Sequence, residues 1–85
     1  MAKSEISHEQ ARQMLVQGGR LYTNKKIKSD VIRAIQIHFT GGFKLYNSKS
    51  LMTGWQGDYI YQNSDNSLGV MQQWILEGQY NKGNV

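Results

Sequence analysis

The sequence predicts a small single domain of the α+β class. An antiparallel sheet of about four strands carries an N-terminal and a C-terminal helix on one face, in the order α-β-β-β-β-α. Three observations predict this fold: helical spacing of apolar residues towards each end, alternating apolar and polar residues in the middle, and clusters of glycine, asparagine and serine between them. The chain has 85 residues, 39% of them apolar and 19% charged, which is typical of one globular domain. We expect this domain to span residues 1–85, with an ordered core from about residue 6 to 78.

The first helix is marked at both of its ends. Ser7 is the predicted N-cap, and Gln10, three residues later, completes a capping box. Gly18 and Gly19 end the helix, because glycine readily adopts the backbone conformations that follow a helix. These signals predict a helix from about residue 8 to residue 17.

A β-hairpin from Ile32 to Asn47 is the predicted centre of the sheet. A three-residue loop, Thr40–Gly42, places Phe39 opposite Phe43 and keeps apolar residues on one face. A loop of only two glycines would mix apolar and polar residues on both faces. In the three-residue loop, Gly42 is expected in a left-handed conformation. The alternative is a helix starting near Asp30, because several of the same apolar residues also fit helical spacing. The other face of the hairpin would carry Ala34, Gln36, His38, Lys44, Tyr46 and Ser48.

Two further strands and one long loop complete the predicted sheet. Arg20–Thr23 follows the helix as a short strand, and Asn24–Lys26 is typical of a turn. Asn47–Gly57 mixes polar residues with glycines and is predicted to be a loop with apolar anchors. Asp58–Gln62 alternates as a strand, and the pattern leaves open which of its faces is buried.

The second helix is predicted from about Ser67 to Glu77. Its N-cap lies among residues 65–67, and Gly78 ends it. Trp74 belongs to its apolar stripe, so we expect this side chain in the core. The polar tail, residues 79–85, is expected to fray.

The composition offers little catalytic or metal-binding chemistry. Without cysteine there is no disulfide, no thiolate nucleophile and no zinc site built on sulfur, and the only histidines are His8 and His38. His38 and Asp58, on neighbouring predicted strands, form the one imaginable acid–base pair. We therefore predict a protein that is not an enzyme and that has no catalytic residues, no metal and no cofactor.

The sequence also bears on the compartment. The N-terminal residues lack the apolar segment of a signal peptide, and no apolar run is long enough to span a bilayer. We expect a cytoplasmic protein without a membrane partner.

The positive charge is concentrated in the middle of the chain. The net charge is +4, but residues 20–49 alone carry +6 because they contain seven basic residues and one acidic residue. Such a surface would contact phosphates by charge and would stack on bases through its aromatic residues. We therefore predict a binding module for nucleic acid or for a nucleic-acid-associated protein, although lysines that only solubilise a sheet remain the alternative. The predicted contact residues are Arg20, Lys25, Lys26, Lys28, Lys44 and Tyr46.

A second hypothesis belongs to another class. A protein-binding inhibitor or adaptor, of the kind that phages and mobile elements encode, would contact a host protein through a sheet edge and through Trp55, Tyr59 and Tyr61. Trp55, between two glycines, would serve either as an anchor of its loop or as a contact for the partner. Homodimerisation also stays open, because a small chain with an unpaired sheet edge often associates.

Overall fold

The computed structural model describes residues 3–47 and 50–82. Within these residues the chain forms two helices and eight strands in two sheets, which confirms the α+β class but exceeds the four or so strands expected from the sequence. In chain order the elements are β1 (Ser4–Ile6), α1 (His8–Gly18), β2 (Arg20–Asn24), β3 (Val31–Gln36), β4 (Phe43–Tyr46), β5 (Leu51–Gly54), β6 (Tyr59–Gln62), β7 (Leu68–Met71), α2 (Gln73–Gln79) and β8 (Tyr80–Lys82).

The larger sheet has five antiparallel strands in the order β7-β6-β3-β2-β8. The smaller sheet has three strands in the order β1-β4-β5, and its β1 runs parallel to β4. Consequently β6, β3 and β2 are internal strands of the larger sheet, whereas β7 and β8 form its two edges.

Both faces of the larger sheet are covered. On one face, buried residues of β3 and β6 pack with α1 and the smaller sheet, and on the other face they pack with α2. Side chains alternate along a strand, so adjacent residues such as Tyr59 and Ile60 belong to the two different cores. The prediction of two helices on one face is therefore wrong: α1 and α2 lie on opposite faces.

The first helix forms as predicted. Ser7 Oγ accepts a hydrogen bond from the Gln10 amide at 3.1 Å, and the Ser7 amide donates to Gln10 Oε1 at 3.0 Å. Gly19 ends the helix at a point where a Cβ atom would collide with the carbonyl oxygen of Leu15. The strand predicted at Arg20–Thr23 is confirmed as β2.

The predicted hairpin is wrong in its pairing, although its turn is present. Gly42 has φ +88° and donates its amide to the Phe39 carbonyl at 3.0 Å. However, β3 and β4 belong to different sheets, because the Ile37 amide donates to the Asp58 carbonyl and the Ile37 carbonyl accepts from the amide of Gly57. The backbone groups expected to meet Leu45 are thus already used. Likewise Ala34, expected on a polar face, is buried under α2.

Three further expectations fail along the rest of the chain. The predicted loop Asn47–Gly57 contains β5, which pairs with β4. The predicted second helix starts six residues late, at Gln73, because Leu68–Met71 pairs as β7 with β6. The tail does not fray at Tyr80–Lys82, which pairs as β8 with β2. The last part of that tail, residues 83–85, and the hairpin-face position Ser48 lie outside the described residues.

Candidate functional site

Three exposed lysines follow β2 in a turn, Lys25–Lys28, which we call the basic turn. Its shape is set by Asn24, whose Oδ1 accepts hydrogen bonds from the amides of Lys26 at 2.8 Å and Ile27 at 3.0 Å. Asn24 Nδ2 also donates to Asp30 Oδ2 at 3.2 Å, across the open end of the turn. A short amide side chain that bonds its own backbone in this way stabilises a turn locally. The positions of the lysines are thus determined by nearby residues.

The end of α2 lies against the basic turn. The Lys25 amide donates to the Gln79 carbonyl at 2.8 Å, and Lys25 Nζ donates to the Glu77 carbonyl at 3.3 Å. Lys25 therefore satisfies two carbonyl groups at the C-terminal end of the helix, where a positive charge is also favourable. An open cavity of about 390 Å³ lies between the two segments. It is lined by Asn24, Lys25, Lys26, Ile27, Gly78 and Gln79.

The carboxylates nearest to the basic turn are bound by uncharged donors. Asp30 Oδ2 accepts from the Tyr80 hydroxyl at 2.6 Å, and Glu77 Oε2 accepts from the Tyr59 hydroxyl at 3.1 Å. Burial, followed by the bond to Asp30, raises the pKa of Tyr80. Burial also raises the pKa of Tyr59, with smaller contributions from Tyr22 and Glu77. Each of these two carboxylates thus accepts a tyrosine hydroxyl, while the side chains of Lys26 and Lys28 are exposed.

The residues predicted to contact nucleic acid lie on three segments of the fold. The three lysines of the basic turn lie together, but Arg20 lies at the other end of β2, about 16 Å away along the strand. Lys44 and Tyr46 lie on β4 in the smaller sheet, where Lys44 pairs with Thr53. The structure therefore supports a smaller candidate surface than the sequence did.

The three residues predicted to contact a protein partner differ in how far their side chains are buried. Tyr59 is 5% exposed, and its ring meets that of Tyr22 edge-on at 5.9 Å. Tyr61 is half-buried, and its ring occupies the space beside Gly69. Of the three residues, Trp55 alone has a largely exposed side chain, at 66%. Tyr59 belongs to the core and cannot contribute to a contact surface.

Trp74 is exposed, contrary to the prediction that it packs in the core. Its side chain is 72% exposed, since it lies on the outer face of a helix whose buried residue is Leu76. The predicted apolar stripe assumed a helix that starts at residue 67. With residues 68–71 in a strand, the stripe is interrupted and Trp74 is turned outwards.

A buried carboxylate brings the two tryptophans to the same end of the molecule. Asp58, which is 8% exposed, accepts from the Trp55 amide at 2.9 Å through Oδ2 and from the Gln73 amide at 3.0 Å through Oδ1. Gln73 directly precedes Trp74, so one side chain fixes the backbone beside both indoles. Both oxygens of Asp58 are engaged in this way, whereas His38 is exposed. In the acid–base pair imagined from the sequence, Asp58 thus has a structural role, because both of its oxygens accept hydrogen bonds from backbone amides.

Trp55 also has a cation on its ring. Lys3 Nζ lies 3.6 Å from the ring centroid and donates to the Gly54 carbonyl at 3.0 Å. Such a cation–π contact is favourable and orients the indole. We refer to Trp55 and Trp74 as the tryptophan pair.

The described residues leave no buried polar side chain unsatisfied. Each buried side-chain nitrogen or oxygen in residues 3–47 and 50–82 has a hydrogen-bond partner. In the same part of the chain, no three metal-binding side chains come together. The exposed basic turn and the exposed tryptophan pair are two surface features that core packing does not explain, and other apolar side chains, such as Val16 and Leu51, are exposed as well.

The fold and the site define a small α+β domain with a basic turn and an exposed aromatic pair. No family model, curated protein or solved structure matches this chain. Neither helix in the part of the chain that the structure describes has the length and apolar character required to cross a membrane.

Proposed function

We propose that this chain is a small non-enzymatic module that binds nucleic acid through the basic turn. The observation that carries the proposal is the group of exposed lysines, Lys25, Lys26 and Lys28, on a turn whose backbone is hydrogen-bonded and whose first two lysines line an open cavity. Lysine side chains bind phosphate oxygens without regard to sequence, and several lysines together release counterions that are condensed on a nucleic acid.

Protection of a sheet edge does not account for these lysines. Exposed lysines often prevent an edge strand from pairing with another molecule. Here β2 is paired on both sides, with β3 and with β8, and the lysines lie beyond its end. Lys82 on the edge strand β8 fits that protective role, whereas the basic turn does not.

The proposal is tested by fluorescence anisotropy with labelled DNA and RNA at about 50 and about 200 mM salt. We expect binding at low salt and a steep loss of affinity as salt rises, with a log–log slope of about −0.7 to −0.9 for each phosphate neutralised. The variant Lys26→Gln/Lys28→Gln should weaken binding and reduce the slope by about 1.4 to 1.8. Lys25 is left intact in this variant because its ammonium group binds a carbonyl of α2.

Arg12→Glu provides the matched control. It lowers the net charge by the same two units, but Arg12 is exposed on α1, which packs on the opposite face of the larger sheet from α2. If both variants weaken binding equally, only net charge matters and the basic turn is not the site. No binding of any nucleic acid at low salt would contradict the proposal as a whole.

A further inference from the structure

The tryptophan pair has properties that the basic turn alone does not explain. Trp55 and Trp74 are the only tryptophans of the chain, and both are more than 60% exposed. Tryptophan is usually largely buried in folded proteins, and exposed indoles are frequent at contact surfaces. These two side chains are therefore candidates for direct contact with a ligand.

The backbone beside both indoles is fixed by hydrogen bonds and by close packing. Besides the two bonds to Asp58, the side chain of Gln73 lies directly over Gly57, where a Cβ atom would come within 2.8 Å of Gln73 Oε1. Gly57 also has φ +97°, which a side chain would strain. The turn that carries Trp55 is thus packed against the start of α2, which carries Trp74. Such preorganisation reduces the entropy lost on binding.

The tryptophan pair is connected to the basic turn along α2. Trp74 and Gly78 are four residues apart, so they share one face of the helix and are separated by about 6 Å along its axis. Gly78 lines the cavity beside the lysines, and no atom lies within 4 Å of the position its Cβ would occupy. Gly78 therefore joins the helix face that carries Trp74 to the lysine cavity, with open space at its own position.

The combination of stacking surfaces and lysines favours one kind of ligand. In a duplex the bases are already stacked on one another, whereas the bases of a single strand are free to stack on aromatic side chains while cations contact the phosphates. Next to the pair lie the amide side chains of Gln56, Gln72 and Gln73 and the ammonium group of Lys3, which suit base edges and phosphates. A carboxylate is also present, because Glu77 Oε2 accepts from Gln73 Nε2 at 3.3 Å. A polyanion also complements the positive charge of the lysines in the basic turn.

We infer that the ligand is a single-stranded nucleic acid whose bases stack on Trp55 and Trp74 while its phosphates occupy the basic turn. This inference rests on the proposed function and extends it to a second surface. It assigns the tryptophan pair to base stacking and the cavity between Gly78 and the lysines to the adjoining phosphates.

The experiment follows tryptophan emission during titration with oligothymidylate, with oligouridylate and with a duplex of oligothymidylate and oligodeoxyadenylate of equal length. Both single strands should quench the emission and bind more tightly than the duplex. Trp74→Ala should weaken single-strand binding by about 5- to 140-fold, as expected for one stacked base, and leave the thermal midpoint nearly unchanged. Trp55→Phe and Trp74→Phe, each with one tryptophan, show whether both indoles are quenched.

Two pairs of variants distinguish stacking from other contacts. Trp74→Phe should retain more affinity than Trp74→Leu, because leucine keeps an apolar side chain but has no aromatic face. Gly78→Glu should weaken binding by placing a carboxylate at the cavity, whereas Gly78→Ala adds only a methyl group in open space and should bind as the parent does.

The outcomes separate the inference from the proposed function. If duplex and single strand bind equally, with dependence on Lys26 and Lys28 but not on Trp74, the inference fails and the proposed function stands. If Trp74→Leu binds as tightly as Trp74→Phe, the contact is only apolar, and stacking is excluded. If no nucleic acid binds, both fail, and the tryptophan pair becomes the surface to test for a protein partner.

Discussion

Asp58 is the residue on which most of the local geometry depends. It is a buried carboxylate, and its two oxygens accept from two backbone amides in different parts of the chain, those of Trp55 and Gln73. The Asp58 amide in turn donates to the Trp55 carbonyl at 3.0 Å. One side chain thus closes the turn before β6 and also binds the first residue of α2.

Asp58→Asn should destabilise the protein. Asparagine has one acceptor oxygen and one donor group, so one of the two amides would face another donor without a partner. The expected loss is about 1 to 3 kcal/mol of unfolding free energy, measured by urea denaturation.

Asp65→Asn is the control for this change. Asp65 is exposed and accepts through Oδ1 from the amide and hydroxyl of Ser67, and the oxygen of asparagine can replace it. The hydrogen bonds from Ser67 also lower the pKa of Asp65. A loss for Asp58→Asn no larger than that for Asp65→Asn would show that the second acceptor oxygen is unimportant.

Single residues also show how far local sequence signals can be followed. The Ser7 and Gln10 capping box and the turn at Asn24 were predicted because their partners lie within three residues. The burial of Tyr59 and the exposure of Trp74 depend on which distant strand lies opposite, and no local pattern encodes that.

At the level of elements, two glycines differ in the space that the surrounding structure leaves for a side chain. Gly54 ends β5 where the buried Phe43 ring occupies the space that a Cβ atom would need. Gly78 lies within α2 with open space around it. The first position requires glycine because of a neighbouring strand, and the second does not.

Alanine at these two positions should therefore change stability in opposite directions. Gly54→Ala should lower the unfolding free energy by about 1 to 3 kcal/mol, as for other overpacked sites, because a buried ring must move. Gly78→Ala should raise it by about 0.5 to 1 kcal/mol through helix propensity. Thermal and urea unfolding of the two variants, measured in parallel, check both signs. A stable Gly54→Ala protein would mean that Phe43 moves freely.

The failed element predictions have one shared cause. The predicted hairpin assumed that one face of the central strands meets water, as in a sheet covered on one side. In fact β3 contributes Ile32 and Ala34 to one core and Ile35 to the other, so its sequence does not show strict alternation. Leu68 and Met71 likewise pack in different cores from a single strand, although their spacing also fits a helix.

At the level of the whole molecule, two tyrosine hydroxyls tie distant segments together: one joins β6 to α2, and the other joins the edge strand β8 to the segment before β3. Tyr59 donates to Glu77 on α2, and Tyr80 on β8 donates to Asp30. For both tyrosines burial is the main cause of a pKa raised above the ordinary value of 10.0. The folded state therefore favours the neutral phenols, and this stabilising contribution is fully present below about pH 10.

The stability of the protein should fall as the pH rises above about 10. The unfolded chain releases the phenolic protons first, so stability is lost until the pH reaches the higher pKa values of the folded state. Tyr59→Phe and Tyr80→Phe should each reduce the difference in unfolding free energy between about pH 8 and about pH 11. Tyr46→Phe, at an exposed position of β4, should leave that difference largely unchanged. An equal effect of all three substitutions would exclude burial as the cause.

The sequence by itself determined the α+β class, the capped first helix, the strand that follows it, the glycine turn at Gly42 and the group of lysines in one turn. These features depend on hydrogen bonds between near neighbours and on backbone preferences of single residues. Only the tertiary structure decided the pairing of β3 and β4 in separate sheets, the start of α2 at Gln73 and the exposed tryptophan pair. Strand pairing is decided by which distant backbone groups form hydrogen bonds with one another, and the pairing then decides which side chains are buried. The spacing of residues within one segment does not contain that information.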